Sequence, residues 1–298
     1  MQSNKSRAYL AWAAICIVWG TTYLAIRIGV AGMPPMLFAG SRWIIAGPLF
    51  YLILRLKGVA PPPKNELKSI AIIGISLLGI ANGLVVVGEQ WIPSGLTALL
   101  ITTLPFWIIG LESLVPKGPK LNFRIVLGII MGFIGVAIIF SGDIIEIFDS
   151  NNLIGAAAML SAVIFWSLGT IYSKRNKITT YPLMSAAVQM IIAGIFQLLL
   201  SFIIGERFYF GGDYQSVLAI LYLIVFGSII GFGSYTYAIQ YLPISFVSTY
   251  AYINPLIALF LGWLVLDEKL NVQVIIAAVI IFFGVTLVKK GSSQAAKN

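Results

Sequence analysis

The sequence contains no histidine and a single cysteine, Cys16. The first absence excludes His-based general acid/base catalysis, His-ligated haem or zinc, and Ser-His intramembrane proteolysis. The second excludes an intramolecular disulfide; Cys16 lies in an apolar run and reads as a small buried hydrophobe. Charge is scarce as well. Only 29 of the 298 side chains are charged, 19 basic and 10 acidic, against about a quarter in a soluble domain. So few charges cannot cover a folded chain of this length in water. An ordinary soluble enzyme, a disordered regulator and a secreted disulfide scaffold are thereby excluded.

Apolar residues are abundant: 59% of the chain is hydrophobic and the mean hydropathy is +0.98. They come in long runs, so an all-α polytopic membrane protein is predicted rather than the alternating strands of a barrel. A window of about 19–20 residues places ten transmembrane helices near 8–30, 34–56, 67–90, 93–115, 121–141, 152–173, 181–204, 216–240, 243–265 and 271–289. The first is read as a retained span, since it is too long for a signal h-region and contains Arg27. The connections are too short to hold a soluble domain. With the N-terminus inside, 15 of the 19 Lys and Arg residues fall on the cytoplasmic side, while Asp143, Glu146, Asp149, Glu206, Asp213, Asp267 and Glu268 fall outside. The positive-inside rule then puts both termini in the cytoplasm. The net charge of +9 is explained by those loops, without a nucleic-acid partner.

The two halves repeat. Arg42-Trp43-Ile44-Ile45-Ala46-Gly47 recurs 147 positions later as Gln189-Met190-Ile191-Ile192-Ala193-Gly194. At the same offset Trp19 falls on Trp166, Pro35 on Pro182 and Arg27 on Lys174. Further on, Pro93 and Pro105 fall on Pro243 and Pro255 at an offset of 150. The expected units are 8–141 and 152–289, five spans each. An odd number of spans inverts the second copy, and two inverted five-helix repeats are an alternating-access architecture with a site near the midplane.

Trp19-Gly20-Thr21-Thr22-Tyr23, Ala39-Gly40-Ser41-Arg42, Gly88-Glu89-Gln90 with Pro93-Ser94-Gly95, the prolines of spans 4 and 9, and Asp267-Glu268-Lys269-Leu270 together resemble the EamA-type drug/metabolite transporters. The resemblance covers about residues 8–290. It implies a ten-helix fold of two EamA repeats and movement of a metabolite or drug across a plasma membrane, often as efflux. One departure is that Pro119 stands where the first repeat would carry the family's acidic residue, kept only as Glu268 in the second.

Candidate solute contacts follow from polar and aromatic groups at depth. Pro105 and Pro255 each lie 12 residues into their spans, about 18 Å, roughly mid-bilayer. Each should free the carbonyl four residues earlier, Ile101 or Ala251, beside Thr102 and Thr103 in one half and Asn254 in the other. The expectation is a pair of kinks lining a central cavity; kinks satisfied by neighbouring hydroxyls are the alternative. Arg42 sits about 12 Å below the outer face, and Glu89 is the expected partner. The pair reads either as solute-charge recognition or as a structural ion pair. Glu112 is assigned to Lys117 or Lys120, and Arg27 to a snorkelling anchor.

Trp19 and Trp166 could form opposite walls of an apolar or aromatic site, with Tyr23 and Tyr252 among the further aromatics at hand. The GxxxG motifs at 128–132 and 227–231 are assigned to close helix packing and to no chemistry. No Walker A motif is present, so direct ATP hydrolysis is not expected, and no cofactor or metal site is read. The expected partners are a small-molecule solute and membrane lipids, with a homodimer left open. Proton coupling, exchange and downhill movement all stay open. The competing function is an intramembrane enzyme acting on a lipid-linked substrate, which would need a polar catalytic cluster at one membrane level.

Overall fold

The computed structural model describes residues 2–92, 94–115, 122–139, 141, 152–207, 214–266 and 272–295. Pro93, Lys117, Lys120, the acidic loop at 143–150, Asp213 and Asp267-Glu268-Lys269-Leu270 lie outside them. Among the described residues the chain is all-helical, with no strand. Eight stretches are long and apolar enough to cross a membrane: Asn4–Gly32, Pro35–Leu56, Lys64–Gly88, Thr97–Leu114, Leu153–Arg175, Pro182–Ile203, Tyr214–Tyr241 and Ile275–Ser292. Phe123–Ile139 is a shorter apolar helix. Large hydrophobic side chains also face outward, Leu10, Leu199 and Phe282 among them. An apolar exterior of this kind belongs to an integral membrane protein.

Helices α1 (Gln2–Gly32) and α2 (Pro35–Leu56) are followed by a third span that is not uniform. It runs as α3 (Lys64–Gly74), a wide turn π1 (Ile75–Asn82) and α4 (Gly83–Gly88). Next come α5 (Ser94–Ile101), α6 (Leu104–Leu114) and α7 (Phe123–Ile139). The second half gives α8 (Leu153–Arg175), α9 (Pro182–Ile203), and α10 (Tyr214–Tyr222), π2 (Leu223–Phe232) and α11 (Gly233–Tyr241) in one span. It closes with α12 (Ile244–Val247), α13 (Tyr250–Leu266) and α14 (Val272–Ala295).

The α2 and α9 helices show why the chain folds this way locally. Each opens with proline in its first turn, where a missing N–H costs nothing. Each ends on a left-handed glycine, Gly58 at φ 80° and Gly205 at φ 75°. In both, the residue after that glycine donates back across the cap, Val59 to the Leu54 carbonyl at 3.0 Å and Glu206 to the Ser201 carbonyl at 3.0 Å. These are Schellman closures, which an L side chain at the glycine would strain.

α2 lies along α9, and α7 along α14. Glycines set how closely the axes approach. A Cβ on Gly47 would come within 2.7 Å of the Ile191 nitrogen, and one on Gly194 within 2.6 Å of the Ile44 nitrogen. At the other pair, a Cβ on Gly128 would meet the Gly284 carbonyl oxygen at 2.5 Å. The packing expected of the first GxxxG motif is found there. α1 packs on the π2 span and α13, while α8 packs on the π1 span, α5 and α6.

Candidate functional site

A cavity of about 70 Å³ lies where α1, α2, π1, α8 and π2 converge. That is room for a few ordered waters. Its wall draws on both halves of the sequence, with Trp19, Tyr23, Arg42 and Asn82 from one and Trp166, Phe232 and Tyr250 from the other. Of the eleven predicted site residues, Trp19, Tyr23, Arg42 and Trp166 line it; Glu89, Thr102, Thr103, Pro105, Tyr252, Asn254 and Pro255 do not.

Trp19 and Trp166 meet edge to face with centroids 5.5 Å apart. They form one corner of the cavity instead of opposite walls, because each indole is held by its own partner. Trp19 Nε1 donates to the Gly227 carbonyl at 3.1 Å. Trp166 Nε1 donates to the Tyr235 hydroxyl at 3.1 Å, and that hydroxyl shares a 2.5 Å hydrogen bond with Thr170. Tyr235 and Tyr250 pack on Trp19 at 5.4 and 5.0 Å. Aromatic rings in these tilted and perpendicular arrangements attract each other beyond their burial, so the corner is stiff.

Arg42 does not pair with Glu89. Its Nε donates to Ser228 Oγ at 2.7 Å, and its guanidinium carbon stands 4.1 Å over the Trp43 ring. Trp43 is fixed in turn by donating to Asn82 Oδ1 at 3.2 Å. Glu89 is buried at the end of α4, and neither carboxylate oxygen has a hydrogen-bond partner among the described residues. The cation acting on Glu89 is Arg27, which donates to the Ile92 carbonyl at 3.0 Å. Arg27 is therefore a helix-end cap rather than a free anchor. Among the described residues, the cations acting on Glu112 are Arg175 and Lys174; Lys117 and Lys120 lie outside them.

The two kinks are not alike. In the first half the helix breaks at Thr102-Thr103, one residue short of Pro105, and Ile101 and Leu104 reach the cavity. Both threonines turn back on their own chain, donating to Leu99 at 2.5 Å and Leu100 at 2.7 Å. Both hydroxyl protons are thus used within the helix, and neither is left to donate to a solute. In the second half the break falls at Ser248-Thr249, more than a turn before Pro255, which sits inside α13. Ser248 and Thr249 make the same backward bonds, to Ser245 at 3.1 Å and Phe246 at 2.7 Å. An adjacent hydroxyl pair, as much as proline, marks these breaks.

Asn254 is buried in helix packing. With its amide turned to suit its neighbours, it donates to the Tyr250 and Cys16 carbonyls, both at 3.0 Å. It thus ties α13 to α1 just behind the cavity wall. Tyr252 points away, donating to the Ile129 carbonyl at 3.1 Å and packing on Gly132.

Sequence reasoning missed Trp43, Asn82 and Ser228. The signal for Asn82 was an amide deep in an apolar span. Ser228 lay inside the second GxxxG motif, whose glycines make room for side chains here. A Cβ on Gly227 would lie 2.7 Å from Arg42 Nη2, and one on Gly231 would lie 2.3 Å from Trp19 Nε1.

Comparison with known proteins agrees with this architecture. Residues 6–141 and 153–289 match the model of the EamA-like transporter family. The uncharacterized inner membrane transporter YedA of Escherichia coli (strain K12) is 36% identical over 282 residues, 93% of this chain and 89% of that protein. The uncharacterized transporter YoaV of Bacillus subtilis (strain 168) is 27% identical, over 94% of this chain and 95% of that one. A solved crystal structure at 18% identity superposes with a TM-score of 0.79, covering 97% of this chain and 99% of the other, and so shares its fold. With both halves matched and a relative above 30% identity along nearly the whole chain, the protein belongs to the EamA-like transporter family.

Proposed function

We propose that this protein is a secondary transporter that carries a small organic metabolite or drug outward across the plasma (inner) membrane by alternating access. In this reading the units 8–141 and 152–289 are inverted five-span repeats, giving ten spans with both termini cytoplasmic. The pairing of α2 with α9 and of α7 with α14 supports it, because each pair joins the same span of the two halves. The caps support it too. Arg27 binds the Ile92 carbonyl, and Lys174, 147 positions later, binds the Leu242 carbonyl at 3.1 Å. Ile92 and Leu242 are themselves 150 apart, the repeat offset of that region.

The observation that carries the proposal is a cavity shared by both halves and buried among their helices, with Trp19 and Trp166 side by side at its corner. A site built between two inverted units is exposed to one side or the other by rocking one unit against its mate. The EamA family match supports transport over lipid chemistry.

Purified protein in liposomes tests this. Protein-dependent flux of a metabolite without product formation is expected, reduced by Trp19→Ala or Trp166→Ala. Turnover of a membrane lipid without solute flux would favour the enzyme instead. Cysteine labelling at 147 or 213 in a Cys16→Ser background tests orientation; reaction only after permeabilisation would reverse it. A growth-tolerance screen against toxic metabolite analogues, with and without the protein, reads the direction.

A further inference from the structure

Arg42 is the one charged side chain among the described residues that line the cavity. It is 3% exposed, seven residues into α2, about 10 Å along the helix. Three neighbours pin it: Ser228 at Nε, the face of Trp43 beneath the guanidinium, and Gly227 against Nη2. None is anionic. Arginine has five N–H donors; Ser228 takes one, and the other four have no protein acceptor among the described residues. An ionic group this deep in a membrane protein is costly unless something of opposite charge meets it. Glu89, the buried carboxylate that sequence order makes the natural candidate, is not within ion-pairing reach of it.

The surroundings specify what could meet it. A guanidinium fork fits a carboxylate through two parallel hydrogen bonds. Around it stand Trp19, Trp43, Trp166, Phe232 and Tyr250, which offer flat apolar surface. Aromatic walls alone also suit organic cations, but a fixed arginine repels them. A phosphate monoester would bring close to two negative charges against one positive group and leave an unpaired charge in an apolar cavity.

We propose that the solute is a small organic monoanion: a carboxylate held by Arg42, with an apolar or aromatic body against Trp19 and Trp166. This rests on the transporter reading of the same cavity and narrows its solute; at about 70 Å³ the cavity holds only waters as it stands, and in that reading it widens as one unit rocks against the other. Arg42 then has two positions to serve. Its Nε stays on Ser228 as the fixed end, and its free edge faces the visiting charge.

Three probes that share one body and differ in head group test the proposal: 3-phenylpropanoate, 3-phenylpropanamide and 3-phenylpropylamine. Binding to the purified protein is read by calorimetry and flux by proteoliposome efflux. The wild type should bind the carboxylate at least about tenfold more tightly than the neutral amide and the amine least. Arg42→Gln should bring the carboxylate-to-amide ratio close to one, and Arg42→Lys should keep part of it, because it retains the charge and loses the fork. The wild-type comparison stands even where Arg42→Gln fails to fold. Equal or tighter binding of the amide or amine by the wild type would overturn the proposal, as would binding of none of the probes or an unchanged ratio in folded Arg42→Gln. Flux of the amine or amide in preference to the carboxylate would leave a transporter but sink the anion. Selective carboxylate binding with no flux of any probe would uphold the anion site and sink the transporter.

Discussion

Glu66→Gln should destabilise the protein by about 2 kcal/mol, far more than an ordinary surface substitution near a helix start. Glu66 stands in the first turn of α3 and reaches the loop that leads into α9. One carboxylate oxygen accepts from the Thr179 backbone N–H at 2.8 Å and its hydroxyl at 2.6 Å. The other accepts from the Thr180 N–H at 3.1 Å and its hydroxyl at 2.5 Å. Hydrogen bonds to a charged acceptor contribute roughly 1.5–3 kcal/mol each. Glutamine keeps one acceptor oxygen and turns an NH2 toward the second pair of donors. A threonine hydroxyl can swing round to accept from that NH2, but a backbone N–H cannot. One to two charge-assisted bonds are lost, and water at the membrane edge replaces part of them, which sets the lower end of the range. Chemical denaturation in detergent measures the loss. A double-mutant cycle with Thr180→Val locates it, since Glu66→Gln should cost less once that hydroxyl is gone. A Glu66→Gln protein within about 0.5 kcal/mol of wild type, or strict additivity in the cycle, would refute the reasoning. Glu206 does the same service for the other half, accepting from the Met36 and Leu37 N–H groups at 3.0 and 2.8 Å at the start of α2.

Asn254→Leu should lower stability by about 1 kcal/mol, the loss of its one interhelical hydrogen bond, to the Cys16 carbonyl, at membrane values, while the folded fraction keeps its solute affinity; melting and binding on one sample check this, and lost affinity at unchanged stability would return Asn254 to the site. Arg42→Ala and Glu89→Gln should be additive to within about 0.5 kcal/mol, because the two side chains have separate surroundings; a larger coupling in the four-protein melting cycle would restore the ion pair.

The sequence by itself determined the class of this protein. Twenty-nine charges in 298 residues leave no soluble alternative, and apolar runs near 20 residues long fix helices as the way to satisfy the backbone in lipid. The helix ends of α2 and α9 were also legible, since proline in the first turn and glycine after the last act locally. So was the relation of Trp19 to Trp166, because a repeat offset needs no coordinates. Which residues face one another was decided by the tertiary structure. Arg42 and Glu89 looked like partners because both are ionisable and buried in the same half. The fold instead gives Arg42 to Ser228, 186 positions away, and sets Glu89 near Arg27. The wide turns π1 and π2 left no mark in the hydropathy, yet π1 carries Asn82 to the cavity wall and π2 carries Ser228 to Arg42. Asn254 shows the same limit from the other side. A polar group at mid-membrane must find a partner, and sequence can state that need but cannot name the partner. Here the partners are the Tyr250 carbonyl, one turn back on α13, and the Cys16 carbonyl, within reach only because α1 packs on α13.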